Sequence, residues 1–326
     1  MKLLVLGGTK FLGRHIVDAA LGQGHEVILF NRGTTNPELF PQLERVTGDR
    51  EGGLSGLEGR DFDGVIDTSG YVPRIVRQST ELLSKAAAFY AFISSISVYP
   101  DGTPPGYDES APTQKLADPG SENIPVDYGA LKAACERVVE ESFPGRSVQV
   151  RAGLIVGPHD PTGRFTYWVR RIAAGGEVLV PAPAAAPVQV IDARDLADWA
   201  VRMVAAGTPG VFNATGPAQS LTMGALVEAC ARATGSAARF TWVDPGFLLE
   251  RAVEPWSELP LWLPGEEGLL QASIAAATGA GLRFRSLEDT ARDTWEWVRT
   301  LSDPPGDAGM ALEREATLLA EWRMAS

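Results

Sequence analysis

The sequence predicts an α/β fold, a doubly wound parallel sheet of about seven strands with a smaller second α/β domain. The opening apolar run, Leu3-Leu4-Val5-Leu6, is continuous and ends in glycine, as in a strand buried on both faces. Further short apolar runs follow with helical patterns between them, the order that right-handed βαβ units require. The first helix opens straight out of a glycine-rich turn, Gly7-Gly8-Thr9-Lys10-Phe11-Leu12-Gly13.

Taken in order, Phe11, Leu12, Ile16, Val17 and Leu21 mark one side of a helix that runs to Gly22. Gly24-His25 turns the chain into strand two, Glu26 to Phe30. Arg45-Val46-Thr47 is a weak third strand and Gly64 to Asp67 a fourth. A helix from about Arg74 to Ala87 leads to strand five, Phe89 to Ile93. The segment from Tyr99 to Val126 holds six prolines and reads as a long loop, a frequent home of function. A helix carrying Tyr128 and Lys132 follows, then strand six, Ser147 to Val150. Gly210 to Asn213 returns to the sheet as strand seven.

A proline-rich excursion, Gly157 to Pro187, interrupts this series. After Gly216 come a helix from Met223 to Thr234, a strand from Arg239 to Val243, and a Trp/Pro/Leu-rich stretch to Pro264. Helices around Leu287 to Thr300 and Gly309 to Met324 close the chain. The expected division is 1–156 plus about 188–215 for the first domain, and about 157–187 plus 216–326 for the second.

Composition narrows the function. The 326 residues are 44% hydrophobic and 21% charged, ordinary for a globular protein. The net charge of -12 repels phosphate backbones and anionic lipid, so neither nucleic acid nor membrane is a favoured partner. The two cysteines, Cys135 and Cys230, lack metal-ligand spacing, and no metal is expected. The run Leu3 to Leu6 is too short for a leader, and the cytoplasm is the expected location.

The glycine turn presents a helix N-terminus, where free N–H groups and the dipole favour a pyrophosphate. Gly7 permits the tight turn and Gly13 the close packing of helix on strand. Lys10 stands at the middle position, where dinucleotide sites usually carry glycine. It either reaches a phosphate or points outward. Strand two ends in Asn31-Arg32 rather than in an acid that would bind a ribose 2′-hydroxyl. Arg32 suits a 2′-phosphate, so NADP is preferred and NAD left open. Asp49 is either an adenine contact or a loop cap. Tyr128 and Lys132, at i and i+4, face one way on a helix. A nearby ammonium favours a phenolate, and a phenol so placed can exchange a proton with an alcohol.

Together these motifs resemble the short-chain dehydrogenase/reductase superfamily, extended branch, the NAD-dependent epimerases/dehydratases. The resemblance runs through Gly7 to Gly13, Gly48-Asp49-Arg50, Thr68-Ser69-Gly70, Ser94 to Tyr99, Tyr128 to Lys132, Arg151 to Pro158 and Val190 to Asp195. It implies a Rossmann-type nucleotide domain and a substrate domain. It implies that Ser95 holds the substrate oxygen, Tyr128 exchanges the proton, and Lys132 tunes the phenol and binds the nicotinamide ribose. It places Thr9, Lys10, Phe11, Leu12, Asn31, Arg32, Asp49, Arg50, Thr68, Ser69, Gly70 and Leu154 with the cofactor. Tyr71, Ser97, His159 and Arg164 are the corresponding substrate candidates.

Two departures bear on the reaction. Ile96-Ser97 follow Ser95 where sugar-nucleotide dehydratases carry Asp-Glu, which counts against β-elimination. Lys10 also resembles the basic residue of atypical, RNA-binding relatives. The resemblance therefore implies an oxidoreductase or epimerase acting on a hydroxyl or carbonyl of a small molecule, a nucleotide sugar among the candidates. The alternative is a dinucleotide-sensing or RNA-binding protein that keeps the fold. Many members pair two helices of each copy. Segments 74–87 and 128–142 carry apolar positions here but no decisive stripe, so a homodimer stays an open expectation.

Overall fold

A computed structural model describes residues 1–303 and 305–325. The chain divides into two compact units. The first holds Met1–Gly153, Ala193–Thr215 and Ala272–Arg283, and the second holds Leu154–Asp192, Gly216–Gln271 and Phe284–Ser326.

In the first unit seven strands form one parallel sheet: β1 Lys2–Leu6, β2 Glu26–Asn31, β3 Glu44–Thr47, β4 Phe62–Asp67, β5 Ala87–Ser95, β6 Ser147–Ala152 and β7 Gly210–Ala214. Their order is β7-β6-β5-β4-β1-β2-β3. The order reverses at β1, which pairs Leu3 to Leu6 with Val27 to Phe30 on one side and with Gly64 to Asp67 on the other. Open α/β sheets bind ligands beyond the carboxyl ends of the strands at such a reversal.

Side chains alternate along β1. Leu4 and Leu6 join Val65, Phe92 and Cys135 in one core, packed by helices α2 Pro73–Leu83 and α3 Ile124–Ser142. Helices α1 Leu12–Gly22 and α4 Ala193–Ala206 serve the other face: a methyl placed on Gly64 would lie 2.3 Å from Val204 Cγ1. Gln23 Nε2 ties these two helices by donating to Asp198 Oδ1 at 2.9 Å.

Several boundaries differ from expectation. Helix α3 begins at Ile124, inside the expected loop, because Pro125 occupies its first turn, where no amide hydrogen is needed. Strand β5 runs on to Ser95, which carries Ser95 to the sheet edge. Segment 272–283 belongs to the first unit, held there by Ser273 N on Tyr107 O at 2.7 Å and Trp199 Nε1 on Ala280 O at 3.1 Å.

The second unit contains helices Arg164–Ala173, Met223–Thr234, Pro245–Glu250, Leu287–Val298 and Leu312–Ala325. Strands Glu177–Pro181 and Arg239–Val243 pair in parallel. Phe165, Trp168, Leu226, Leu248 and Trp262 sit in its apolar core. Helices Arg164–Ala173 and Ala193–Ala206 were not anticipated, although Phe165, Trp168, Val169 and Ile172 have helical spacing, as do Leu196, Trp199, Ala200 and Met203. No described helix is long and apolar enough to cross a membrane.

Candidate active site

Gly7 and Gly8 adopt φ of 110° and 90°, which side chains rarely tolerate. A methyl on Gly7 would lie 2.4 Å from Thr68 Oγ1, and one on Gly13 would lie 2.8 Å from Gly8 N. The helix therefore packs directly on the turn. No side chain caps the first turn of α1, and no acid stands in it. That leaves the dipole end available to an anion. The donors and the glycine cradle fit a dinucleotide pyrophosphate.

Around the cradle the predicted contacts take distinct positions. Thr9 is buried, and its carbonyl accepts from Asn36 Nδ2 at 2.6 Å. Phe11 precedes α1 at φ 33°, and Leu12 is buried at the helix start. Asn31 donates to Gly7 O at 2.8 Å and accepts from Gly33 N at 2.9 Å, so its amide braces the turn. Lys10 and Arg32 are exposed, with no polar partner for either side chain among the described residues. Asp49 caps its own loop by accepting from Glu51 N at 3.0 Å. Thr68 Oγ1 and Ser69 Oγ both donate to Leu6 O, at 2.9 and 3.3 Å, closing the ends of β1 and β4 together.

Arg50 turns inward. It pairs with both carboxylate oxygens of Asp67 at 2.7 and 2.8 Å and donates to Ser79 Oγ at 2.7 Å. Asp67 and Ser79 are fully buried. The motif spacing carried no sign of this partner.

The carboxyl edge of the sheet also gathers the candidate catalytic groups. Lys132 is buried, and its Nζ donates to Gly70 O at 2.7 Å and Ile93 O at 2.6 Å. The ammonium lies 4.2 Å from the Phe92 ring centre and 5.3 Å from that of Tyr71. Burial pushes it down to about 8. Tyr128, half-buried one turn earlier, approaches the same Tyr71 ring at 6.4 Å between centroids. Tyr71 is 42% exposed and joins the two.

Ser95 ends β5, and its Oγ accepts from Ser97 N and donates to Ser97 Oγ, both at 3.1 Å. A methyl on Gly129 would stand 1.9 Å from Ser97 O, so a glycine is what lets α3 lie against this segment. Ser94 instead donates to Glu136 at 2.6 Å. Glu136 is in turn bound by Arg151 at 2.8 Å, and Arg151 donates to Tyr99 OH at 2.7 Å. This second buried ionic group escaped sequence reasoning, because its members are far apart in the chain.

Leu154, His159 and Arg164 belong to the second unit. Leu154 starts strand Leu154–Val156. His159 lies at φ 71° with its ring 5.1 Å from that of Trp297, and the Arg164 guanidinium stacks 5.0 Å over Trp256.

A family model described as "NAD dependent epimerase/dehydratase family" matches residues 3–59 and 65–215. The chain is 26% identical over 256 residues to the chloroplast stem-loop binding protein of 41 kDa b of Arabidopsis thaliana, a match that covers 72% of this chain and 63% of that protein. It is 30% identical over 169 residues to UDP-glucose 4-epimerase of Neisseria meningitidis serogroup B, covering 43% of this chain and 48% of that enzyme. The chain thus matches less than two thirds of the length of either relative. Among solved structures, UDP-glucuronic acid 4-epimerase from Bacillus cereus in complex with NAD has a TM-score of 0.67 at 17% identity, over 93% of this chain and 100% of that one. A putative epimerase from Burkholderia cenocepacia has a TM-score of 0.69 at 17% identity, over 92% and 98%. At that identity the likeness establishes a shared fold.

Proposed function

The chain belongs to the NAD dependent epimerase/dehydratase family, and from that premise we propose that it is an NAD(P)-dependent oxidoreductase or epimerase acting on a hydroxyl or carbonyl of a small molecule. A nucleotide sugar is the substrate class favoured by the similarity to proteins named UDP-sugar epimerases. The observation that carries the reading is the convergence of Tyr128 and the buried Lys132 on Tyr71, with Lys132 held by Ile93 O of the strand that ends in Ser95, on the sheet edge that also bears the glycine cradle.

Each residue then has a chemical task. A bound nicotinamide dinucleotide would supply the hydride acceptor and donor. The α1 N-terminus and Gly7 to Gly13 hold its pyrophosphate. Ser95 Oγ holds the substrate oxygen, and Tyr128 takes the hydroxyl proton as the carbinol is oxidised and returns it on reduction. Lys132 places a cation beside that exchange.

For the cofactor, NAD stands in the names of several similar structures. A preference for NADP rests on Arg32 alone. Thermal melting with NAD, with NADP and without either tests both points. The expected result is a rise with cofactor, larger for NADP, with the NADP excess lost in Arg32→Ala. Equal shifts in wild type and variant would remove the 2′-phosphate role. Interconversion of UDP-glucose and UDP-galactose by the purified protein would support the nucleotide-sugar class, and its absence would count against it.

A second reading, an RNA-binding protein that keeps the fold, is favoured by the similarity to the stem-loop binding protein and by the exposed Lys10. Salt-sensitive retention of a stem-loop RNA without any cofactor effect on melting would bring it forward.

A further inference from the structure

Behind Lys132 lies an ionic group that the proposed chemistry does not use. Asp67 ends β4 with its carboxylate wholly shielded from water. It receives both arms of the Arg50 guanidinium, Tyr90 OH at 2.8 Å and Ser69 N at 3.0 Å. Arg50 reaches it from the loop after β3, next to Asp49, and is anchored from α2 by Ser79. Three residues beyond Asp67, the Gly70 carbonyl binds Lys132 Nζ. Gly70 is itself pressed on this group: a methyl there would lie 3.0 Å from Asp67 Oδ2 and 2.5 Å from Phe92. The turn that anchors Lys132 is thus built on the Asp67 carboxylate.

We propose that the buried Arg50–Asp67 ion pair is a positioning and charge-balancing element for Lys132, tying the loop that carries Asp49 to the carbonyl that holds the ammonium. A fully buried carboxylate alone would fix the ammonium tightly, and a buried guanidinium alone would repel it. Paired, they present little net charge while Asp67 keeps the Ser69–Gly70 turn in place through Ser69 N. The charged and titratable groups facing Lys132 are Asp67 from β4, Arg50 from the loop, and Cys135 and Glu136 from its own helix. Tyr128 from α3 and Tyr71 complete the surroundings. The proposal rests on the reading of Lys132 as the cation of the site, yet its test reads Lys132 itself and needs no turnover.

The chain has five lysines, Lys2, Lys10, Lys85, Lys115 and Lys132, so side-chain carbon NMR of the lysine-labelled full chain resolves each titration. The Lys132 signal is the one missing from Lys132→Met. In wild type it should titrate near 8. Asp67→Asn, which keeps hydrogen-bond acceptance but removes the anion, should lower that value by at least ~0.5 unit, and Arg50→Met should raise it by a similar amount. A general loosening of the fold would instead move both variants the same way, toward the ~10.4 of an exposed lysine. Movement in one common direction, or no movement, overturns the proposal. Asp67→Asn is decisive by itself, because loosening cannot lower the value; if it fails to fold, a rise in Arg50→Met is shared with loosening and the double variant decides. The double variant buries no orphan charge and should restore the wild-type titration to within ~0.5 unit. A double variant titrating as an exposed lysine overturns the proposal. Failure of the enzyme reading shows separately, as wild-type protein without cofactor binding or turnover.

Discussion

The two units bury ionic groups for different ends. In the first, Arg50–Asp67, Arg151–Glu136 and Lys132 cluster at or behind the carboxyl edge of the sheet. In the second, Arg171 pairs with Glu315 at 2.5 Å, and Glu315 also accepts from Leu179 N at 2.9 Å. That pair fastens helix Leu312–Ala325 to strand Glu177–Pro181 inside an apolar core rich in tryptophan. Burying charge is expensive and is offset only by close partners. In the first unit it accompanies candidate chemistry, and in the second it serves docking of a terminal helix.

Three substitutions press on that contrast. Tyr128→Phe should cut turnover by ~10²–10⁴-fold and leave the cofactor-induced melting shift nearly unchanged, because only a proton-exchanging oxygen is lost. Retained turnover would remove Tyr128 from the proposed chemistry. A large fall in melting temperature would show instead that its hydroxyl is structural.

Glu315→Ala should act in the opposite sense. It leaves Arg171 buried without its partner and should cost about 3–5 kcal/mol of stability in denaturant unfolding, with cofactor affinity kept in whatever remains folded. A loss below about 1 kcal/mol would mean that the pair does little to hold the helix.

Gly129→Ala gives the smallest expected effect and the sharpest sign. Helix propensity alone favours alanine by about 1 kcal/mol. The added methyl would stand 1.9 Å from Ser97 O and 2.6 Å from Gln114 Nε2. Overpacking should win, giving a net loss of about 1–3 kcal/mol together with reduced turnover as α3 moves off Ser97. Net stabilisation would show that α3 can shift freely there.

Much of the first unit could be read in one dimension, since continuous apolar runs ending in glycine specify buried parallel strands. The four-residue spacing of Tyr128 and Lys132 likewise placed both on one helix face, and both approach Tyr71. Other features were legible and passed over. Helices Arg164–Ala173 and Ala193–Ala206 lay within or beside segments read for their prolines and loops, yet their apolar residues recur at helical spacing. The expected division gave each unit two segments, whereas each draws on three, and the return of 272–283 depends on contacts such as Ser273 with Tyr107, between residues distant in sequence.

By itself the sequence determined the parallel α/β class, the glycine turn at the head of α1, and the identity and spacing of the hydroxyl, phenol and ammonium groups. These follow from local rules: side-chain periodicity, the freedom of glycine at positive φ, and the geometry of a helical turn. Tertiary structure alone decided where the charges went. Arg50 sits beside the cofactor candidate Asp49 in the chain but points to Asp67, seventeen residues on, and Arg151 finds Glu136 across two elements. Partner choice for a buried charge is set by which strands and helices the fold brings together, because desolvation penalises every arrangement in which that charge is left alone.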